Sequence, residues 1–252
     1  MFLNLWMQFA SHSRLQAGLT AFLTLISIAF WGNTALAADG WTLSPYLRLD
    51  AGYSNTVNND GTIRDATQKY IVDVFDHRGS RYQAGFGVKL TDYLRSDVTL
   101  SYRGNLARTN NVTMSSGTVF ETKDGNHTAS NMTALLNIYV DPLAAVGIDT
   151  GAFSSYVQAG IGRARNKTKS MKFSSTVIQG ATHNNVAWQV GAGLNYALTD
   201  QWKIDLSYRF LDMGEARSSK NFVNGVTPNT LVQETRFDLQ AHEVLLGLQY
   251  QF

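Results

Sequence analysis

The chain has 252 residues, no cysteine, 16% charged and 12% aromatic side chains, and a slightly negative mean hydropathy. That length suits one domain of ordinary size, and the lack of cysteine excludes a disulfide framework. Apolar residues spread this evenly exclude a helical membrane bundle, whose spans need long apolar runs.

The first element is the only long apolar run. Residues 17–31 carry no charge, follow Arg14 and lead into Ala35-Leu36-Ala37 before Ala38-Asp39. This layout predicts a secretory signal peptide over 1–37, cut after Ala37, with Met1 or Met7 as the start. An uncleaved anchor is the competing reading, but the run falls short of the roughly 20 residues a spanning helix needs. Removing 1–37 takes one cation, Arg14, from 21 and none of the 19 acidic residues, so the remaining 38–252 is nearly neutral. No nucleic-acid partner is implied, and any electrostatic partner must be read from local clusters.

From Trp41 onward the hydrophobic period is two, in blocks of about ten residues separated by polar stretches. Leu47, Leu49, Ala51 and Tyr53 alternate with Tyr46, Arg48, Asp50 and Gly52. Tyr82, Ala84, Phe86 and Val88 alternate with Arg81, Gln83, Gly85, Gly87 and Lys89. The third block sets Val98, Leu100 and Tyr102 against Asp97, Thr99, Ser101 and Arg103, and the fourth sets Met132, Ala134, Leu136, Ile138 and Val140 against Thr133, Leu135, Asn137 and Tyr139. A weaker fifth opposes Val157, Ala159 and Ile161 to Tyr156, Gln158, Gly160 and Gly162. The sixth pairs Trp188, Val190, Ala192, Leu194 and Tyr196 with Gln189, Gly191, Gly193 and Asn195. The seventh has Ile204, Leu206, Tyr208 and Phe210 against Asp205, Ser207 and Arg209. The last has Val244, Leu246, Leu248, Tyr250 and Phe252 against Glu243, Leu245, Gly247 and Gln249.

A soluble β-sandwich and a membrane barrel share this period. Connection length separates them. The gaps 54–79, 105–126, 166–184 and 212–236 are long, whereas 91–94 and 199–202 are tight, as in an outer-membrane barrel with long loops on one rim and short turns on the other. The connection 141–153, with Pro142 and Gly147, is longer than this scheme wants. The polar face also separates them. It carries Arg48, Asp50, Arg81, Lys89, Asp97, Arg103, Asp205, Arg209 and Glu243 beside most strand glycines. Strand glycines would weaken a sandwich, but in a narrow barrel they make room for long inward side chains whose charges pair. Tyr53, Tyr82, Tyr102, Trp188, Tyr196, Tyr208 and Tyr250 near block ends suit two interfacial aromatic belts. The fold expected is an all-β, eight-stranded, antiparallel up-and-down transmembrane barrel over 38–252.

The terminal segment with Val244, Leu246, Leu248, Tyr250 and a final Phe252 resembles the insertion signal that the barrel assembly machinery reads. The segments Pro45-Tyr46-Leu47-Arg48-Leu49-Asp50-Ala51-Gly52-Tyr53, Tyr156-Val157-Gln158-Ala159-Gly160-Ile161-Gly162, Val190-Gly191-Ala192-Gly193-Leu194 and Asp205-Leu206-Ser207-Tyr208-Arg209-Phe210-Leu211-Asp212-Met213-Gly214 resemble the opacity-type, porin-like outer-membrane barrel family. The resemblance implies an eight-stranded barrel in a Gram-negative outer membrane, with surface loops that contact host cells, antibodies or lipopolysaccharide. It implies no shared catalytic residue, and the periplasmic peptidoglycan-binding domain of some relatives is not expected here.

No cofactor or metal is expected. Gly85-Phe86-Gly87 and Gly191-Ala192-Gly193 sit within strands rather than at a phosphate-cradling turn, and the histidines show no ligand spacing. His242 falls on the lipid face, where some outer-membrane deacylases carry a Ser/His pair, yet the position two residues on is Val244, so no nucleophile accompanies it. A narrow, charge-filled barrel argues against a wide channel, and small-solute or ion transport is the alternative to a display role. The sharpest local feature is a basic run: Arg163, Arg165, Lys167, Lys169 and Lys172, with no acidic residue between Asp149 and Asp200. It reads as a loop that docks on lipopolysaccharide phosphates or binds anionic host polymers such as heparan sulfate. The slightly acidic first loop, with Asp60, Asp65, Asp73 and Asp76, is its expected neighbour.

Overall fold

The computed structural model describes residues 43–57, 61–64, 69–76, 78–104, 107–114, 119–121, 127–173, 176–224, 227–230 and 233–252. The predicted signal segment, Trp41, Asp60 and Asp65 lie outside them. Eight long strands form the barrel: β1 (Ser44–Val57), β2 (Arg78–Lys89), β3 (Leu94–Arg103), β4 (His127–Val140), β5 (Phe153–Thr168), β6 (Thr182–Ala197), β7 (Trp202–Arg217) and β8 (Gln233–Gln251). Each pairs antiparallel with its sequence neighbour, and β8 returns to β1 with Leu47 opposite Tyr250 and Tyr53 opposite Val244. Closure leaves no free edge, the condition for a sheet to cross lipid.

The alternation read in the sequence is the alternation of burial. In β1, Tyr46, Arg48, Asp50, Ser54 and Thr56 are buried, while Leu47, Leu49 and Tyr53 are exposed. Around the barrel, Leu136, Ile161, Leu194 and Leu246 are more than half exposed. In water such a face would aggregate, and in a bilayer it is the lipid-facing band. Aromatic pairs mark its short-turn end: Phe153 with Tyr196 at 4.7 Å and Trp202 with Tyr250 at 4.8 Å between ring centroids.

Inward glycines clear space for large lumen side chains. A Cβ on Gly87 would lie 2.4 Å from Tyr46 Cζ and 2.6 Å from Asp97 Cβ. Gly87→Val is therefore expected to cost about 1–3 kcal/mol or more through overpacking, read as a lower urea midpoint of the refolded barrel, with Tyr46→Ala in the same chain recovering part of the loss.

Several strands run further outward than the sequence blocks suggest. The segments expected as long loops contain Gly61–Arg64, Lys69–Asp76, Ala107–Met114 and Val119–Glu121, which extend the barrel sheet. Met171–Phe173, Thr176–Ile178, Asn221–Asn224 and Thr227–Thr230 form a separate small sheet. The seventh strand was expected to end at Asp212, because the alternation breaks there. The break is a β-bulge between Asp212 and Glu215, where Gly214 takes φ +66°. This left-handed conformation suits glycine, and an added Cβ would also meet Asn185 Cβ at 2.7 Å. Asn166 Nδ2 donates to the carbonyls of Met213 and Glu215, and Asn185 Nδ2 donates to that of Glu215, holding the bulge. Beyond it the inward parity changes, with Ala216 and Ser218 buried.

The overlong connection after β4 holds a one-turn helix, α1 (Pro142–Ala145). Asp141 caps it by accepting from the Leu143 and Ala144 amides. Gly147 and Gly151, both at positive φ, lead the chain back into β5.

Candidate functional site

The lumen is filled in layers rather than open. Nearest the short-turn rim, Arg48 is the hub: its Nη2 donates to Asp50 Oδ1 at 2.7 Å and Asp205 Oδ1 at 3.1 Å, its Nη1 donates to Tyr139 OH at 3.1 Å, and Asp97 lies 3.6 Å away. Tyr46 and Tyr139 donate to Asp97, and Tyr156 donates to Asp205. Below this hub Arg95 lies 4.4 Å from the Tyr139 ring centroid and 4.6 Å from that of Tyr156. Arg95 shares the inward parity of Asp97 but lies next to the tight turn, where the alternation of the third block has not yet begun.

In the next layer three arginines surround one carboxylate. Arg103 Nε donates to Glu243 Oε1 at 2.6 Å, Arg209 Nε donates to Oε2 at 2.8 Å, and Arg81 Nη1 also donates to Oε2. All four side chains are at most 2% exposed. Gln83 ties the layers together: its Oε1 accepts from Arg81 and Arg209, and its Nε2 donates to Asp50. Of the polar-face charges, Arg48, Asp50, Asp97 and Asp205 meet in the first layer and Arg81, Arg103, Arg209 and Glu243 in the second, while the remaining one stands apart. Lys89 sits at the rim and pairs with Asp92 at 2.8 Å, which holds the Asp92 carboxyl below its ordinary range.

Above the ionic layers the filling turns apolar. Leu135, Ala164, Ile178, Ala187, Leu211, Met213, Ala216, Phe237, Leu239 and Ala241 form one buried cluster. Apart from Leu135, on the inward face of the fourth block, these residues lie on strand ends beyond the sequence blocks or, like Ile178, in the small sheet, so the blocks alone do not reveal this layer.

The basic run lies on different structure from that expected. Arg163, Arg165 and Lys167 belong to β5 and alternate with buried Ala164, Asn166 and Thr168, so they face outward from the wall. The alternation predicted through Ile161 simply continues, and the polar composition concealed it. Lys169 and Lys172 continue the run above the strand, both exposed. Arg165 shares a cross-strand row with Met132, Tyr102 and Tyr82. Backbone pairing takes Lys69–Asp76 to Ala107–Met114 and Gly61–Arg64 rather than to this run, and the side chains of Asp73 and Asp76 lie outside the described residues.

His242 faces outward as its parity requires. Its Nδ1 lies 2.7 Å from Tyr208 OH, and its ring packs on Phe210. On the same strand Val244, Leu246 and Leu248 are exposed to lipid, and Phe252 packs edge-on against Tyr250.

The model of the outer membrane protein β-barrel domain family matches residues 20–252. The chain belongs to that family. Its place is accordingly the outer membrane of a Gram-negative cell, with the short turns and both strand termini on the periplasmic rim. It is 30% identical to an uncharacterised protein of Brucella abortus over 86% of each chain. It is also 33% identical to outer membrane protein PagN of Salmonella typhimurium, over 40% of this chain and 43% of PagN. A Rickettsia conorii protein named as a candidate adhesin matches at 25% identity over 81% of each chain. Among solved structures, the outer membrane protein OprG from Pseudomonas aeruginosa shares the fold, with a TM-score of 0.50 at 12% identity, covering 84% of this chain and 98% of that one.

Proposed function

We propose that this protein is a non-enzymatic outer-membrane anchor that presents its outward strand extensions and loops to the cell's surroundings, and that β5 holds the outer leaflet through the phosphates of lipopolysaccharide. The observation that carries the proposal is the position of Arg163, Arg165 and Lys167 on the outward face of a wall strand. Cations there meet headgroups rather than bulk water, and desolvated charge-assisted bonds to phosphate are stronger than those on a free loop. The filled lumen fits an anchor better than a conduit, and the adhesin name among the relatives suits a display role. The lipid-exposed residues of the last strand, from Val244 to Phe252, are proposed as the segment the assembly machinery engages.

The test is lipopolysaccharide binding by the mature barrel in nonionic micelles. The variant with Arg163, Arg165 and Lys167 all changed to Gln should bind at least tenfold more weakly while keeping the mobility of a folded barrel. Equal binding would remove the stripe from the proposal. Lys169 and Lys172 extend beyond the strand, so competition by heparan sulfate that is lost in Lys169→Gln with Lys172→Gln, and kept in the strand variant, would assign the upper end of the run to a host polymer instead.

A further inference from the structure

The opposite rim holds a second feature that the display role does not use. The periplasmic mouth opens into a cavity of about 430 Å³ floored by Tyr139 and Tyr156 and lined by Lys89, Arg95, Lys203 and Gln249, with α1 and the turn after it at its edge. That volume lies within the range of small-molecule sites. Its cations are placed against their own electrostatic interest. Lys89 and Arg95 stand directly opposite each other in the β2–β3 register, both facing inward, an arrangement of like charges that weakens a strand pair. Gln249 joins the third cation to them: it is the register partner of Lys203, and its Oε1 accepts from Arg95 Nη1 at 2.6 Å.

The described structure balances this group only in part: Lys89 pairs with Asp92 and Arg95 with Asp205, while Lys203 has no acidic partner. The acidic residues at the cavity edge lie on turns and are already engaged: Asp92 by Lys89, Asp141 by the helix cap and Asp149 by the Gly151 amide. Arg95 Nη2 is buried with no hydrogen-bond partner, its nearest carboxylate oxygen being Asp205 Oδ2 at 3.7 Å. Lys203 makes no hydrogen bond or ion pair among the described residues. An orphaned guanidinium nitrogen, a lone lysine and an opposed lysine–arginine pair around one aqueous cavity share a single remedy, which is a bound anion.

We propose that the periplasmic mouth is a binding site for a small soluble multivalent oxyanion, the class to which citrate and pyrophosphate belong. The barrel wall separates the cavity from lipid headgroups, and the floor closes it toward the outside, so the ligand enters and leaves from the periplasm. Arg95 and Lys203 hold it from two sides, and Lys89 exchanges Asp92 for it.

The test is calorimetric titration of citrate and of pyrophosphate into the refolded mature barrel in octyl glucoside at low salt. Saturable one-to-one binding of either anion is expected, weakened at least tenfold in Lys89→Gln with Lys203→Gln. Two lysines at the rim are changed because Arg95→Gln risks the fold itself. The comparison variant Lys220→Gln with Arg236→Gln, which removes the same charge from the outward extension, should bind as the wild type does. Absence of saturable binding in the wild type overturns the proposal, and so does equal binding by the rim variant, which would show an adventitious ion only.

Discussion

Glu243→Gln is expected to destabilise the barrel by about 3–5 kcal/mol, the usual cost of removing one partner from a buried ion pair. Glu243 accepts from Arg81, Arg103 and Arg209 at once, and none of the four is accessible to water. An amide in its place keeps the shape but leaves three guanidinium groups with no anion in their layer. The nearest carboxylate reached through the network is Asp50, by way of Gln83. Relief should therefore come from removing cations rather than restoring packing. Arg209→Met added to Glu243→Gln is expected to recover part of the loss, whereas Leu246→Ala, on the lipid face of the same strand, should not. Urea unfolding of the refolded protein, followed by intrinsic fluorescence and by the gel mobility of the folded barrel, reads both effects. A wild-type midpoint for Glu243→Gln would mean that the arginine layer is balanced by something other than this carboxylate.

In planar bilayers the wild-type barrel is expected to show no steady conductance, and changing both Arg103 and Arg209 to Ala is expected to leave it closed. An eight-stranded barrel has an interior just wide enough for its own side chains, and here three successive layers fill it. The substitution thins only the middle one, where Arg81 and Glu243 stay paired. The Arg48–Asp50–Asp97–Asp205 layer remains beneath it, and the Leu135–Leu211–Met213–Leu239 layer remains above. Ion passage should appear only when the apolar layer is also opened, as with Leu211→Ser and Met213→Ser added to the arginine pair. Discrete steps in the wild type would shift the functional reading to transport. Steps in the arginine variant alone would show that the other two layers do not seal.

Much of this architecture follows from local chemistry. A side-chain period of two is a property of the extended backbone itself, so a row such as Leu47, Leu49, Ala51 and Tyr53 already declares which face meets lipid. The charges opposite it declare which face meets the lumen. Their types also imply pairing, because burying an ion without a partner is costly. The alternation of tight and long connections likewise shows which rim is which.

Where the alternation is interrupted, the sequence becomes silent. Gly214 places a bulge after Asp212, parity flips, and Ala216 looks like loop although it lines the lumen. Polar composition concealed strand in the same way at Arg163, Arg165 and Lys167, since a charge on the outward face at the headgroup level reads the same as a charge in a loop. Partner choice is also nonlocal. Arg48 finds Asp205 across 157 positions and Arg103 finds Glu243 across 140, and only barrel closure brings them together. By itself the sequence determined the two faces of each strand, because these rest on the periodicity of a single strand, and the spacing of tight and long connections ordered the strands up and down. Which arginine meets which carboxylate, the apolar layer over the ionic ones, and the cation-lined periplasmic mouth were decided by the tertiary structure, because each depends on the register between strands far apart in the chain.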